Sequence, residues 1–182
     1  YMTHPEEWTY HIPEGMTTME GALVEPAAVG MHAAVLGGAQ PGKSIVILGG
    51  GTIGLMVLQA CISLGATDIT VVDVIEKRLE LAKKLGAARV INGKEEDTVA
   101  VLRSEEMYGD HGVDLVFEAA GAVFTAQQAV QIVSRGGKIM MVGTQSKPVP
   151  IDFLKINREV TIQTSFRYCN NFPQTIEGIS SG

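Results

Sequence analysis

Three glycines and one aspartate have the spacing of a dinucleotide-binding site. Gly49, Gly51 and Gly54 follow an apolar run of strand length and precede a helix-like segment, in the pattern G-x-G-x-x-G. The first glycine permits a tight turn, the second lets a pyrophosphate approach the backbone, and the third lets the helix pack closely on the strand. Asp73 lies 19 residues after Gly54, at the end of a second apolar run. Its carboxylate is placed to accept hydrogen bonds from ribose hydroxyls.

The helix after the glycines supplies the phosphate contacts. Thr52 and Ile53 open this helix, and its free N–H groups and positive dipole end favour an anion. The alternative is a glycine turn in a flavodoxin-like sheet, which leaves Asp73 without a role.

Asp73 also favours NAD over NADP. A 2′-phosphate about 5 Å away would be repelled by roughly 3 kcal/mol per unit charge at an effective dielectric near 20, or about a hundredfold in affinity. Lys77 and Arg78 follow closely, and either cation could reach a phosphate. The alternative for both is a solvated helix start. We expect NAD as the cofactor.

Composition argues against several classes of protein. The net charge is −6, and no basic run exceeds two residues, so a nucleic-acid surface is not expected. No apolar stretch reaches the ~18–20 residues of a membrane helix, and the first residues have no signal-peptide layout. Cys61 and Cys169 form neither a disulfide framework nor a zinc spacing. We expect a soluble cytoplasmic protein without nucleic-acid or membrane partners.

Alternating strands and helices must position the candidate residues. The apolar runs predict six strands, at 45–48, 69–73, 89–92, 113–118, 138–142 and 160–166, with helical segments between them. Because these connections are too long for hairpins, they predict right-handed βαβ crossovers. The expected fold is α/β, a doubly wound parallel six-stranded sheet of Rossmann type with strand order 3-2-1-4-5-6. Its ligand would lie at the switch between the first and fourth strands.

Helix signals are clear at several points. Thr17 and Glu20 match a capping box, which predicts a short helix toward residue 24. Pro26 predicts the start of a second helix, because proline suits the first helical position, and this would fix Glu25 at a helix start. Asp97 and Thr125 are expected to cap later helices, the first about ten residues long and the second ending near residue 134.

Two segments of the chain resemble the zinc-dependent medium-chain dehydrogenases. They are the residues 25–33 (EPAAVGMHA) and 46–54 (VILGGGTIG). A third, residues 165–170 (SFRYCN), is similar to the polyol branch of that family, the sorbitol (L-iditol) dehydrogenases. The resemblance covers the whole chain. It implies the NAD-binding domain of an enzyme that oxidises a secondary alcohol to a ketone by hydride transfer; the alternative is a threonine or secondary-alcohol dehydrogenase.

The resemblance also implies residue roles. Glu25 would be a catalytic and substrate-binding residue next to a zinc-bound water, with a helix-end carboxylate as the alternative. Arg167 and Tyr168 would bind the polyol, with a loop arginine and a half-buried tyrosine as the alternatives. Further cofactor contacts would come from the ends of the second, fifth and sixth strands: Arg78, Val142, Gly143, Thr144, Ser165 and Phe166. Gly143 could equally serve only as a turn.

The zinc ligands of the family have no counterpart here. Such enzymes use a Cys and a His-Glu pair of an N-terminal catalytic domain, whereas the four histidines of this chain are scattered. We therefore expect a cofactor-binding fragment that contains no metal ligands. Residues 1–38 would connect to the missing domain, and residues 39–182 would form a C-terminally truncated NAD-binding domain. Zinc would belong to the parent enzyme, expected to be a homo-oligomer, commonly a tetramer in this family. The fragment alone is expected to bind nucleotide without catalysis.

Overall fold

Strands and helices alternate along the chain, except that no helix of the described residues separates the last two strands. The computed structural model describes residues 2–156 and 158–181. The predicted outer limits at residues 1 and 182 lie outside these described residues. The strands are β1 (Ser44–Leu48), β2 (Asp68–Asp73), β3 (Arg89–Asn92), β4 (Val113–Glu118), β5 (Val133–Met141) and β6 (Thr161–Thr164). The helices are α1 (Thr18–Gly37), α2 (Thr52–Ser63), α3 (Glu76–Lys84), α4 (Thr98–Leu102), α5 (Val123–Ile132) and α6 (Phe172–Ser181).

The six strands form one parallel sheet in the order β3-β2-β1-β4-β5-β6. The predicted fold class and strand order are therefore confirmed. β1 pairs with β2 on one side and with β4 on the other, so the order of the strands reverses beside β1. Because all strands are parallel, their carboxyl ends lie at one edge of the sheet. The glycine loop follows β1, and Asp73 and Glu118 end β2 and β4, so all three lie at that edge.

Apolar side chains of β1 alternate between two buried clusters. Ile45 and Ile47 face a cluster that includes Ala33 and Leu58, from α1 and α2. Val46 and Leu48 face a second cluster that includes residues of α4 and α5. All four β1 side chains are fully buried. This burial on both faces explains why the strand is continuously apolar rather than alternating.

Pro26 lies inside one helix and does not begin a second one. The capping box at Thr17 and Glu20 is present, and the hydrogen bonds that Thr17 N and Thr17 Oγ1 donate to the Glu20 carboxyl lower its pKa. From there α1 continues through Pro26 to Gly37. The prediction of two helices is wrong, because proline removes a single helical hydrogen bond while packing of α1 holds the helix together. That packing is close: a Cβ at Gly30 would lie 2.5 Å from the backbone of Met56 in α2.

Thr125 does not cap α5. The helix begins at Val123, and the hydroxyl of Thr125 instead donates to the buried carboxylate of Glu118 at 2.7 Å. α5 ends at Ile132, and β5 starts at once and includes Gly136, where a register shift against β4 occurs. The prediction of a helix to residue 134 and of a strand from 138 is therefore wrong. Pairing of Val133 with Val113 extends the strand toward its amino end.

α4 is half as long as predicted. Asp97 caps it as expected, accepting hydrogen bonds from Val99 N and Ala100 N, but the helix ends at Leu102. The guanidinium of Arg103 then donates to backbone carbonyls, among them that of Gln131 at the end of α5. These contacts turn the chain away from a helical path.

The residues before α1 pack against the end of the chain. The ring of Tyr10 stacks on that of Phe172 with the centroids 5.5 Å apart, and Tyr168 meets Phe172 edge-on at 4.8 Å. The amino-terminal segment thus contacts α6, which in turn contacts the loop after β6. In residues 2–156 and 158–181, no helix combines the length and the apolar character needed to cross a membrane.

Candidate functional site

The glycine loop joins β1 to α2 through close backbone contacts. Gly49 has φ +108°, and a Cβ there would lie 2.8 Å from Ala120 N. A Cβ at Gly54 would overlap the carbonyl oxygen of Gly49. By contrast, a Cβ at Gly51 would meet nothing within 4 Å. Two of the three glycines are thus required by the fold itself, whereas Gly51 borders open space.

The amino end of α2 is open to a ligand. Gly51 is its N-cap residue, and no side chain caps the helix. The N–H groups of Thr52 and Ile53, in the first turn, have no partner within the helix. An uncapped helix start beside an open glycine is suited to binding a phosphate.

Asp73 connects the end of β2 to the glycine loop. Its Oδ2 accepts a hydrogen bond from Gly50 N at 2.7 Å, and its Oδ1 accepts from Val74 N and Ile75 N at 2.8 and 2.9 Å. The residue is only 8% exposed. Its carboxylate therefore fixes the loop as well as facing the site, a role that the spacing from Gly54 did not reveal.

Arg78 is the cation nearest to that carboxylate. Its Nη1 lies 3.4 Å from Asp73 Oδ2, and its side chain is 47% exposed. The exposed guanidinium forms a long, weak contact that a ligand could displace. Lys77 is also exposed, at the start of α3.

A cavity of about 460 Å³ lies at the carboxyl ends of β1 and β4, where the strand order reverses. This volume is typical of small-molecule sites. The cavity is lined by the glycine loop, the end of β2 with Arg78, the residues after β3 and the start of α5: Gly49, Gly51, Val72, Asp73, Val74, Arg78, Gly93, Thr98, Ala119, Ala120, Ala122, Phe124, Thr125 and Gln128. The predicted switch-point crevice is present, and four of the predicted cofactor-binding residues line it: Gly49, Gly51, Asp73 and Arg78.

A second cavity of about 560 Å³ lies under the amino-terminal segment. Trp8, Tyr10 and Phe172 contribute to its apolar wall. None of the predicted site residues lines it. We therefore assign it to the packing of that segment rather than to the site.

The loops after β4 and β5 touch each other beside the crevice. The N–H groups of Val142 and Gly143 both donate to the carbonyl of Glu118, at 2.9 and 2.8 Å. A Cβ at Gly143 would overlap Gly121 N, so glycine is required here because the two loop backbones pack closely, and not only for a turn. Thr144 is exposed just beyond this contact.

The loop after β6 lies at the same edge of the sheet. Ser165 N donates to Met141 O at 2.9 Å, which fixes the loop to the end of β5. Phe166 is exposed, and the guanidinium of Arg167 lies 5.2 Å from the centre of its ring. Arg167 has φ +53°, an uncommon conformation for a residue with a side chain. Strained backbone of this kind is often retained at functional sites.

Several predicted site residues lie away from the cavity. Glu25 is exposed in the interior of α1, so a role at a helix start does not apply to it. Tyr168 is half-buried against Phe172, and neither it nor Arg167 lines the crevice. The structure therefore places the predicted contacts of the glycine loop, Asp73 and Arg78 at one cavity. Neither the predicted cofactor contacts after β5 and β6 nor the predicted substrate contacts line that cavity.

The described residues do not offer a metal site. Within residues 2–156 and 158–181, no three His, Cys, Asp or Glu side chains are grouped so that they could hold a metal ion. Cys61 is buried between helix and sheet, and this burial raises the pKa of its thiol to about 12. The donor set of the described residues does not fit a zinc ion.

Fold and glycine loop together define a dinucleotide-binding domain of Rossmann type. Residues 52–181 match the family described as zinc-binding dehydrogenase, and the chain belongs to that family. It corresponds to the NAD(P)-binding domain of these enzymes.

Two curated relatives align with the whole chain. An uncharacterised zinc-type alcohol dehydrogenase-like protein of Escherichia coli K12 is 63% identical over 182 residues, which are 100% of this chain and 52% of that protein. The sorbitol dehydrogenase of Bacillus subtilis is 39% identical over 185 residues, again 100% of this chain and 52% of that protein. The chain thus spans about half the length of the curated relatives it matches.

Two solved structures with bound cofactor share the fold. A protein of Sinorhizobium meliloti 1021 bound to NADP is 28% identical, with a TM-score of 0.93 over 98% of this chain and 53% of that one. A short chain alcohol dehydrogenase of Escherichia coli CFT073 complexed with NADH is 25% identical, with a TM-score of 0.91 over 98% of this chain and 52% of that one. Relatives with this fold therefore bind both cofactors.

The difference between Gly51 and Gly54 yields a test of the site. Gly51→Ala places a methyl group in open space, at a φ of −72° that alanine adopts freely. The unfolding temperature should therefore fall only by the few degrees that alanine costs at a helix N-cap. The same methyl group should weaken dinucleotide binding at least tenfold, measured by calorimetry, because it occupies the approach of the pyrophosphate.

Gly54→Ala is the matched variant and should lower the unfolding temperature, because its methyl group overlaps Gly49. Unchanged dinucleotide affinity in Gly51→Ala would contradict a phosphate position at this loop.

Proposed function

We propose that this chain is the NAD-binding half of a zinc-dependent polyol dehydrogenase of the sorbitol type. The observation that carries the cofactor assignment is the buried carboxylate of Asp73, which is hydrogen-bonded to the glycine loop at Gly50 and lines the same cavity as Gly51. A carboxylate in this position is suited to a ribose with free hydroxyls.

Each part of the loop has a task in this proposal. The N–H groups at the start of α2, from Thr52 and Ile53, bind the pyrophosphate. Asp73 Oδ1 accepts two backbone hydrogen bonds, whereas Oδ2 accepts only one, from Gly50 N. Oδ2 can therefore also accept from a ribose hydroxyl once Arg78 moves aside. The backbone after β5, from Val142 to Thr144, and the residues Ser165 and Phe166 after β6 would contact the nicotinamide half. NAD supplies the hydride acceptor when it is bound.

NADP is the second candidate cofactor, and Arg78 is the observation that favours it. The exposed guanidinium beside Asp73 is suited to a 2′-phosphate, for which arginine is the usual partner. The NADP-bound relative from Sinorhizobium meliloti agrees with this alternative. Against it stands the negative charge of Asp73, which is fixed by three backbone hydrogen bonds and does not move away.

The substrate class is proposed from the loop after β6. Arg167 and Tyr168 present a guanidinium and a phenol, which suit a ligand with several hydroxyl groups. The strained backbone of Arg167 and the sorbitol dehydrogenase relative support the assignment. Glu25 would serve as a catalytic residue that handles a proton, once the remaining half of the enzyme lies against α1.

For the full-length protein we propose a homo-oligomer in the cytoplasm that acts on an alcohol. In this proposal zinc is held outside this chain, and residues 1–38 connect the two halves of the enzyme. The net charge of −6 argues against a nucleic-acid partner.

Asp73→Asn tests the choice of cofactor. Asparagine removes the negative charge, so the ratio of NAD affinity to NADP affinity should fall at least tenfold in calorimetric titrations. The ratio is the readout because the new amide also disturbs the hydrogen bond from Gly50, which should weaken both cofactors alike.

Arg78→Ala separates the two candidates. If the site prefers NAD, Arg78→Ala changes NAD affinity by less than threefold and lowers only the weaker NADP affinity. Lys77→Ala is the control and changes neither affinity. Tighter NADP than NAD binding in the wild type, lost in Arg78→Ala, would overturn the NAD assignment.

The polyol assignment is tested in the full-length protein. We expect NAD-dependent oxidation of sorbitol and xylitol rather than threonine. Arg167→Lys should raise the KM for the polyol about tenfold and leave NAD affinity unchanged. The reason is that the lysine ammonium lacks the planar set of N–H donors with which a guanidinium binds neighbouring hydroxyl groups. Arg135→Lys, at an exposed position of β5, is the control and should change neither. Turnover of threonine alone would contradict the substrate class.

A further inference from the structure

Glu118 is a fully buried carboxylate at the carboxyl end of β4. Its residue is 0% exposed. Oε1 accepts hydrogen bonds from Ala120 N, Gly121 N and Thr125 Oγ1, at 3.1, 2.9 and 2.7 Å. Oε2 accepts one from Gln145 Nε2 at 2.7 Å. The carboxylate therefore ties together the two loops, after β4 and after β5, that border the switch point.

No cation pairs with this carboxylate among the residues that the structure describes. The ion pairs found there join Arg78 to Asp73, Arg89 to Asp68 and His111 to Asp114. Hydrogen bonds alone compensate the buried charge of Glu118, and a charge without an ionic partner is costly in a low-dielectric environment. A positively charged ligand beside it would reduce that cost.

The position of Glu118 indicates which ligand would bring a positive charge beside it. A dinucleotide in a doubly wound fold crosses the switch point, with its adenosine half on the side of β1 and β2 and its other half on the side of β4 and β5. The crevice continues from Gly51 to Ala119 and Ala120, which directly follow Glu118. The oxidised nicotinamide ring carries a positive charge, whereas the reduced ring is neutral. The field of a buried carboxylate is poorly screened by salt.

We propose that the charge of Glu118 makes the site prefer the oxidised dinucleotide over the reduced one. The inference rests on the proposed binding of NAD. It adds that a buried residue beneath the loops, Glu118, sets the preference between the oxidised and the reduced cofactor. Glu118 acts through its electric field and by positioning the loops, not by contact with reacting atoms.

Gln145 allows the charge of Glu118 to be removed without loss of hydrogen bonds. Its Oε1 is buried and has no hydrogen-bond partner. In Glu118→Gln, the new amide oxygen can keep the three hydrogen bonds that Oε1 accepts, and the new NH₂ group can donate to Gln145 Oε1 after rotation of that amide. The number of hydrogen bonds is then preserved while the charge is removed.

The test compares dissociation constants for NAD⁺ and NADH, by calorimetry for NAD⁺ and by nicotinamide fluorescence for NADH. For two unit charges about 10 Å apart at an effective dielectric near 20, removal of one changes an affinity roughly tenfold. The preference for NAD⁺ over NADH should therefore fall about tenfold in Glu118→Gln. It should return in the double variant Glu118→Gln with Gln145→Glu, which restores a carboxylate at the same place.

Asp114→Asn is the matched control. Asp114 lies on the same strand, near the opposite edge of the sheet, and accepts hydrogen bonds from Ser44 N and Ser44 Oγ. Its loss should leave the NAD⁺ to NADH ratio unchanged. If Glu118→Gln does not fold, Gln145→Lys provides the same test, because an ammonium group against Glu118 cancels its charge and should also lower the preference.

An unchanged ratio in Glu118→Gln or Gln145→Lys, or an equal change in Asp114→Asn, would overturn the inference. In that case the wild type still binds both cofactors, and the proposed function stands. If the wild type binds neither dinucleotide, the proposed function fails together with the inference.

Discussion

The contact between Gly54 and the carbonyl oxygen of Gly49 is the constraint on which the site depends. No side chain larger than hydrogen fits between them, so α2 starts directly at the end of β1. This places unpaired N–H groups at the carboxyl edge of the sheet, beside β1 and β4, where the strand order reverses. The hydrogen bond from Gly50 N to Asp73 then fixes the loop against β2. A phosphate site and a ribose site are thus formed by backbone geometry and one carboxylate.

Two buried carboxylates stand on either side of the switch point. Asp73 accepts three backbone hydrogen bonds on the side of β2, and Glu118 accepts two backbone and two side-chain hydrogen bonds on the side of β5. Each fixes a loop that borders the same crevice. Both negative charges are held in place before a ligand arrives, which reduces the reorganisation that binding requires.

Local sequence signals predicted the features that a single residue decides, such as a glycine turn or a helix cap. The glycine spacing, the capping box at Thr17 and the N-cap Asp97 were each predicted correctly, because local hydrogen bonds or steric needs decide them. The strand order also followed from the alternation of elements. These features need no knowledge of distant residues.

Tertiary contacts decided the features that local signals missed. Pro26 has the local signature of a helix start, but the helix continues through it because α1 packs closely on α2 at Gly30. Thr125 suits a helix cap, but its hydroxyl donates instead to the carboxylate of Glu118, seven residues earlier. The loop-joining role of Glu118 depends on Gln145, 27 residues away, so no local pattern could reveal it.

The most direct test of the central claim, that the glycine loop and Asp73 hold a dinucleotide, is backbone amide NMR of the 19.4 kDa chain during titration with NAD. We expect the largest shifts at Gly50, Gly51, Thr52 and Ile53, and at Val74 and Ile75, whose N–H groups share the carboxylate of Asp73. Saturable shifts confined to another surface, with these amides unchanged, would contradict the claim.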